Sequence, residues 1–173
     1  FVAAFLLPGL FGHDPWKTED ATAFGVAWGM LQNGDVLVPT LAGEPFVDAP
    51  PLVYATAALL AKAFAPILPA HDAARLAAGV FLASTLALLA LAARELYDRS
   101  FRWLPVLLFV GSLGLWDRAH QLSPEIGLLF GVALGLYGLA LALRRAAVGG
   151  AVLGLGIAAA FLATSLLLAV FAA

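Results

Sequence analysis

The sequence predicts an all-α membrane protein, built as a polytopic bundle of transmembrane helices. Of its 173 residues, 63% are hydrophobic and only 12% are charged, and the mean hydropathy is +0.99. A helix on the surface of a soluble protein needs a polar face, but residues 76–93 and 126–143 contain no charged side chain. Apolar runs of this length are typical of membrane spans, so we expect a multi-pass protein.

The composition also excludes several classes of function. The net charge of -2 and the absence of any Lys/Arg cluster larger than a pair argue against nucleic acid as a partner. The chain has no cysteine, which excludes disulfides, thiolate zinc sites and cysteine nucleophiles. Any chemistry must therefore come from carboxylates, histidines and hydroxyls.

The apolar segments predict the order of the elements. The chain opens inside an apolar run that is too short to span alone, so residues 1–12 are interpreted as the end of a first span. Residues 13–72 are expected to form an external loop with interfacial helices. The whole chain, 1–173, is interpreted as the N-terminal part of a single transmembrane domain. The later predicted spans are residues 73–93, 103–116, 124–143 and 151–173.

Charge placement predicts the orientation of these spans. Two short connections carry the arginines Arg94, Arg99, Arg102, Arg144 and Arg145. The positive-inside rule places both connections in the cytoplasm, which leaves residues 117–123 outside. Residues 13–49 contain six acids against one base, as expected for an external loop. If both flanks of residues 51–68 are external, this segment does not cross and forms an interfacial or re-entrant helix.

The external loop itself contains a predicted helix from Glu19 to Gln32. Thr18 is the expected N-cap, and Asn33-Gly34 is the expected end. Phe24, Ala27, Trp28 and Leu31 recur at helical spacing, which predicts that one face of this helix lies on the bilayer.

Glycines predict which spans pack closely. Gly127, Gly131 and Gly135 repeat every four residues and form a smooth ridge for another helix. Gly150 and Gly154 suggest a similar ridge in the last span.

The predicted external face collects nine of the eleven acids and all three histidines, so function is expected there. Glu19 and Asp20 lie in the first turn of a helix, where the dipole favours the ionised form. Either could accept a proton from an acceptor, or both could simply complement the dipole. Glu125, which follows Pro124 at the start of a span, has the same two interpretations.

Cationic side chains on the same face could hold a phosphate. Arg118 and His120 share one external turn, and Arg75 lies near the start of a span. Each could instead contact lipid headgroups. The histidines and acids could supply metal ligands, but their spacing predicts no particular ligand set.

Several runs, in this order, resemble a known family. They are DPWKTEDA at 14–21, GDVLVPTLAGEP at 34–45, FVDAPPL at 46–52, ARL at 74–76 and RAHQLSPE at 118–125. Together they are similar to the bacterial membrane glycosyltransferases of the dolichyl-phosphate-mannose-protein mannosyltransferase family, which includes the lipid A aminoarabinose transferases and has the GT-C fold. The resemblance covers nearly the whole chain.

The resemblance implies an enzyme of the bacterial inner membrane. It would transfer a sugar from a polyprenyl-phosphate donor to a lipid or protein acceptor on the periplasmic side, in contact with membrane lipids. The catalytic pair would be Glu19 and Asp20, with Asp20 slightly favoured because it directly precedes Ala21, as the second acid does in many relatives. The substrate-binding residues would be Asp48, Arg75, Arg118, His120 and Glu125. No nucleotide is required, and a divalent metal ion could help to neutralise the phosphate.

Three departures from the family pattern bear on this assignment. The acidic pair is Glu-Asp where Asp-Glu is usual, and Glu125 stands where the family has aspartate. Ala49 replaces a lysine that contacts the donor phosphate in the family. Arg75, Arg118 or His120 could substitute for it, the donor could be handled differently, or the protein could be an inactive family member. A transporter component is the alternative from another class, since membrane acids can form an ion path.

Overall fold

The computed structural model describes residues 5–6, 8–12, 17–35, 37–112 and 120–164. These residues form six α-helices, of 7 to 27 residues, and one two-stranded hairpin, which confirms the all-α class. The helices are α1 (Thr18–Asn33), α2 (Leu52–Phe64), α3 (Ala70–Leu96), α4 (Leu104–Val110), α5 (Pro124–Ala142) and α6 (Ala146–Ala163). A 3₁₀ turn covers Arg99–Phe101, and strands β1 (Thr40–Leu41) and β2 (Glu44–Pro45) pair antiparallel.

Three of these helices, α3, α5 and α6, are long and apolar enough to cross a membrane. They contain 27, 19 and 18 residues, and 18 helical residues extend about 27 Å, close to the roughly 30 Å of a hydrocarbon core. The described part of the chain therefore has the composition and helix lengths of a membrane protein.

The helix ends differ from the predicted segments. Helix α3 extends beyond 73–93 in both directions, and α6 begins at Ala146, because the small residues after Arg145 continue the helix. Helix α4 covers only part of 103–116, since it ends at Val110 with Gly111 as its cap. The rest of that segment from residue 113, and residues 165–173 of the last predicted span, lie outside the described residues.

Helices α5 and α6 pack along the predicted glycine ridge. A Cβ on Gly131 would lie 2.5 Å from the backbone nitrogen of Ala160, so only glycine allows this approach. The partner glycines on α6 are Gly149 and Gly156, which face α5. The prediction for Gly150 and Gly154 is not confirmed, since a Cβ on either would meet no atom of the described residues within 4 Å. Residues 149 and 156 share a helix face because they are seven positions apart, and 150 and 154 are rotated away from it.

The predicted helix in the first loop is confirmed as α1, although its start differs. Thr18 is inside the first turn, and Lys17 occupies the N-cap position without a side-chain cap. At the other end Gly34 adopts the left-handed conformation, φ 72°, and donates its N–H to Met30 O at 3.0 Å. The buried face of α1 packs against α2. The predicted bilayer-facing stripe is wrong for Ala27, which is 2% exposed, and for Phe24 and Leu31, which pack against the core, whereas Trp28 is 42% exposed.

Helix α2 and the N-terminal segment complete the packing around α3. The side chain of Val53, at the start of α2, lies 2.6 Å from where a Cβ of Gly127 would stand, so α2 begins beside the start of α5. Thirteen residues extend about 20 Å, less than a bilayer core. Phe5 packs with Leu82 and Val106, which places the N-terminal segment against α3 and α4.

Ion pairs define the two ends of the bundle. Glu95, near the end of α3, lies 3.8 Å from Arg144, which follows α5. Residues 94–103 and 143–146 therefore share one end, called the arginine end. At the other end Asp20 of α1 bonds to the chain just before α5. The starts of α1, α3 and α5, with α2 and the hairpin, form this acidic end.

Candidate functional site

Asp20 joins three separate parts of the chain at the acidic end. It is 3% exposed. Its Oδ2 accepts hydrogen bonds from Arg75 Nη2 at 2.7 Å and Arg75 Nε at 3.2 Å. Its Oδ1 accepts a bond from the backbone N–H of Leu122 at 3.0 Å. One carboxylate thus holds α1, α3 and the turn before α5 together.

Arg75 is the cation at the centre of this contact. It is 1% exposed, and its Nη1 lies 3.5 Å from Oδ1 of Asp72, three residues earlier on α3. Asp72 also accepts the backbone N–H of Gly12 at 3.4 Å, and His71 Nε2 lies 3.6 Å from the same carboxylate. The guanidinium therefore lies between two carboxylates, and the N-terminal segment is attached through the second one.

This charged cluster is fully satisfied within the described residues. In that part of the chain, no buried side-chain nitrogen or oxygen lacks a hydrogen-bond partner. Buried charges are tolerated only when they are paired and hydrogen-bonded, and removing one partner of such a pair costs about 3–5 kcal/mol. Asp20, Asp72 and Arg75 consequently act as one structural unit at the acidic end.

The two predicted catalytic acids have opposite environments. Asp20 is buried with each oxygen engaged, whereas Glu19, one residue earlier, is exposed. Adjacent residues on an α-helix point about 100° apart, which is why one carboxylate faces the core and the other faces outward. The sequence prediction of two carboxylates at a water boundary therefore fits Glu19 better than Asp20.

Arg75 differs from its predicted role in a similar way. The prediction gave its guanidinium two alternatives, a substrate phosphate or lipid headgroups. In the structure this side chain is 2% exposed and lies against Asp20 and Asp72. A phosphate would have to displace a carboxylate to reach it. The geometry favours a structural role for Arg75.

His120 attaches the N-terminal segment to the turn before α5. Its Nε2 donates to the carbonyl oxygen of Phe5 at 2.7 Å, and the two rings lie 5.6 Å apart. The ring also lies against Gly9, since a Cβ there would be 3.2 Å from the imidazole Cγ. Arg118, predicted beside His120, lies outside the described residues.

Asp48 and Glu125 both act electrostatically on a residue that sequence reasoning missed, Tyr54. Burial raises the pKa of the Tyr54 phenol to about 12, with further contributions from the charges of Glu125 and then Asp48. The Tyr54 ring stands edge-on to Phe46, 6.0 Å away. Asp48 and Glu125 are themselves exposed. The charges of two predicted site residues from distant parts of the sequence thus both affect one buried phenol.

An open groove lies beside Asp48. Its volume is 380 Å³, within the range of small-molecule sites, and residues 37–39 and 45–51 line it. Ala49, where the resemblance predicts a lysine, also packs partly against the core. The groove therefore offers a carboxylate but no lysine.

The acidic end gathers all the predicted site residues within the described chain. Asp20 and Arg75 meet directly, Glu19 is the exposed neighbour of Asp20, His120 and Leu122 share a turn, and Asp48 and Glu125 both act electrostatically on Tyr54. Asp72 could have been found from its spacing to Arg75, because oppositely charged side chains three residues apart on a helix are neighbours. Tyr54 carries no sequence signal of its own.

A divalent metal has no ligand set in this part of the chain. Among the residues that the structure describes, no three histidine or acidic side chains are close enough together to hold an ion. The carboxylates at the acidic end either bind Arg75 or are exposed.

No protein-family model, curated protein sequence or solved structure matches this chain. The functional assignment therefore depends on the residues and contacts described above.

Proposed function

We propose that this protein is a membrane glycosyltransferase with a GT-C-like fold. It would move a sugar from a polyprenyl-phosphate donor to a lipid or protein acceptor at the acidic end, predicted to be periplasmic, of a bacterial inner membrane. The observation that supports this proposal is the contact made by Asp20. Its hydrogen bonds to Arg75 and Leu122 join described residues from three of the stretches that carry the family resemblance.

Within this proposal the two acids have different roles. Glu19 is the base, because it is exposed in the first turn of α1, where the helix dipole favours its ionised form. Asp20 is a positioning residue that fixes the start of α1 relative to α3 and α5. This division follows from burial, and it assigns catalysis to the first acid of the pair.

The reaction is a direct displacement at the anomeric carbon of the donor. Glu19 accepts the proton of an acceptor hydroxyl or amine, and the acceptor atom forms a bond to the anomeric carbon. The bond from that carbon to the phosphate oxygen breaks, and polyprenyl phosphate leaves with the bonding electrons. Orientation of the two substrates and stabilisation of the leaving phosphate supply most of the rate enhancement.

The leaving phosphate needs a cation other than Arg75. We assign the phosphate contact to the cations that precede α5 in the sequence, Arg118 and His120, in place of the lysine absent at Ala49. Asp48 and Glu125, around Tyr54, are assigned to the hydroxyls of the sugar.

Direct detection of sugar transfer tests this proposal. Membranes containing the full-length protein are supplied with polyprenyl-phosphate-linked hexoses and pentoses that carry a labelled sugar. We expect release of the label from at least one donor and its appearance in a lipid or protein acceptor. The matched control is the Glu19→Gln variant at equal expression. If the folded protein releases no sugar from any donor, or if Glu19→Gln releases it equally well, the proposal is wrong.

A further inference from the structure

A groove between α3 and α4 lies at the arginine end, away from the proposed transferase site. Its volume is 410 Å³. Its sides are apolar, and one end carries Arg94, Arg102 and Trp103. The apolar lining on α3 runs from Ala83 to Leu91, which corresponds to about 12 Å along the helix. The groove is thus a hydrocarbon-lined trough with two guanidinium groups at one end.

The positions of these side chains match the surface of a bilayer. The guanidinium of Arg102 lies 5.2 Å from the ring centre of Trp103, and Trp103 is 50% exposed. Tryptophan prefers the headgroup level of a membrane, and arginine near the end of a span extends towards the same level. Both the cations and the indole are therefore placed where lipid phosphates lie.

The positive charge at this end exceeds the negative charge. Arg94 lies 3.5 Å from Glu95, but Glu95 is shared with Arg144, 3.8 Å away. Residues 94–103 and 143–146 contain five arginines and two carboxylates, which leaves three uncompensated positive charges. The side chain of Arg94 is 41% exposed despite its ion pair. The mouth of the groove therefore favours an anion.

We infer that this groove binds an anionic phospholipid. The lipid phosphate contacts Arg94 and Arg102, and one acyl chain lies along the apolar residues of α3 opposite Val106. A trough with cations at one end is complementary to a molecule with an anionic head and a hydrocarbon tail. A zwitterionic lipid gains less from the excess positive charge, and a soluble phosphate has no tail to fill the trough.

Quenching of Trp103 fluorescence by brominated lipids tests this inference. The chain contains four tryptophans, so Trp16→Phe, Trp28→Phe and Trp116→Phe leave Trp103 as the reporter. The protein is reconstituted in bilayers with brominated phosphatidylglycerol or brominated phosphatidylcholine at equal mole fractions. We expect brominated phosphatidylglycerol to quench Trp103 at lower mole fractions than brominated phosphatidylcholine. The difference in apparent affinity should be about fivefold for each guanidinium that contacts the phosphate. The double variant Arg94→Gln/Arg102→Gln should lose this preference.

Arg145→Gln is the matched control, because Arg145 is exposed at the same end but does not line the groove. This variant should keep most of the preference, and excess inorganic phosphate should not displace brominated phosphatidylglycerol. Equal quenching by the two lipids would overturn the inference. An equal loss of the phosphatidylglycerol preference in Arg145→Gln would also overturn it, because general surface charge would then explain the preference. Displacement of the lipid by phosphate would overturn it too, because the site would then bind a free anion.

A second measurement uses the chain with all its tryptophans. Native mass spectrometry after exposure to an equal mixture of the two lipids should show more retained phosphatidylglycerol than phosphatidylcholine. Arg102→Gln should reduce that excess. No excess in the unaltered chain would contradict the inference even if the tryptophan variants fail to fold.

Discussion

Replacing Asp20 by asparagine should destabilise the protein far more than the matched change at Glu19. Asparagine keeps the shape of the side chain and an oxygen that can accept the Leu122 N–H, but it removes the charge that faces Arg75. Removing one partner from a buried ion pair costs about 3–5 kcal/mol. Arg75 still has Asp72 at 3.5 Å, so we expect a loss of about 3 kcal/mol, the lower end of that range.

This loss is measurable as a shift in thermal unfolding. For a chain of this size, about 1 kcal/mol corresponds to roughly 2–4 °C, so Asp20→Asn should lower the Tm in detergent by about 6–12 °C. Asp20→Ala should lower it further, because the buried N–H of Leu122 then loses its acceptor, at a cost of about 1–3 kcal/mol.

Glu19→Gln is the control, since it changes an exposed neighbour in the same helical turn. Exposed substitutions usually change stability by about 0.5 kcal/mol or less. Equal Tm shifts for Asp20→Asn and Glu19→Gln would refute the argument that Asp20 is a buried structural carboxylate. A normal Tm for Asp20→Asn would refute it too.

Three further predictions concern packing, ionisation and topology. Gly131→Ala should cost about 1–3 kcal/mol in detergent, because its Cβ would meet the backbone of α6, whereas Gly154→Ala should be neutral or slightly stabilising; equal stabilities would contradict this packing. The Tyr54 phenol should stay protonated above pH 10 and titrate near pH 12. Because the same phenol loses its proton at a lower pH in the unfolded chain, the free energy of unfolding should decrease as the pH rises between these two values. The ultraviolet absorbance of the phenolate, with the other two tyrosines changed to phenylalanine, measures this, and a midpoint near 10 would contradict it. In this cysteine-free chain, a membrane-impermeant thiol reagent outside intact cells should label a cysteine at Gly34 but not one at Asp98; the reverse pattern would overturn the orientation.

Uncharged apolar runs made the fold class predictable. The lack of charge in residues 76–93 and 126–143 requires helices that bury their own backbone hydrogen bonds, and α3 and α5 cover those segments. The ends of helices were less predictable, because caps depend on local competition. Thr18 has a side chain that is typical of an N-cap, yet it is the first helical residue and Lys17 occupies the N-cap position.

The placement of several candidate residues at one end of the bundle was predictable, but their individual environments were not. Spacing and charge placed Glu19, Asp20 and Arg75 on one face of the membrane, and the structure brings them to the acidic end. Sequence could not show that Asp20 turns inward, since its burial depends on the tertiary contact with Arg75 and Leu122. Long-range contacts of this kind leave no local pattern.

The glycines illustrate the same limit. Gly131 was predicted from its four-residue repeat and lies in the contact between α5 and α6. On α6, the repeat of Gly150 and Gly154 predicted the wrong face, because the helix has glycines on two faces. Only the position of α5 selects Gly149 and Gly156.

Turnover of the two acid variants tests the central claim most directly, namely that Asp20 is a structural residue that positions α1 and that Glu19 is the catalytic base. With a polyprenyl-phosphate-linked sugar as donor, Glu19→Gln should lower kcat by about 10²–10⁴-fold, the usual contribution of a general base. Its Tm and donor affinity should stay near those of the unaltered protein. Asp20→Asn should lower both the activity and the Tm. At low temperature, where more of this variant is folded, its kcat per folded molecule should be closer to that of the unaltered protein than the kcat of Glu19→Gln is. Normal turnover in Glu19→Gln with a large loss in fully folded Asp20→Asn would contradict the account and identify Asp20 as the base.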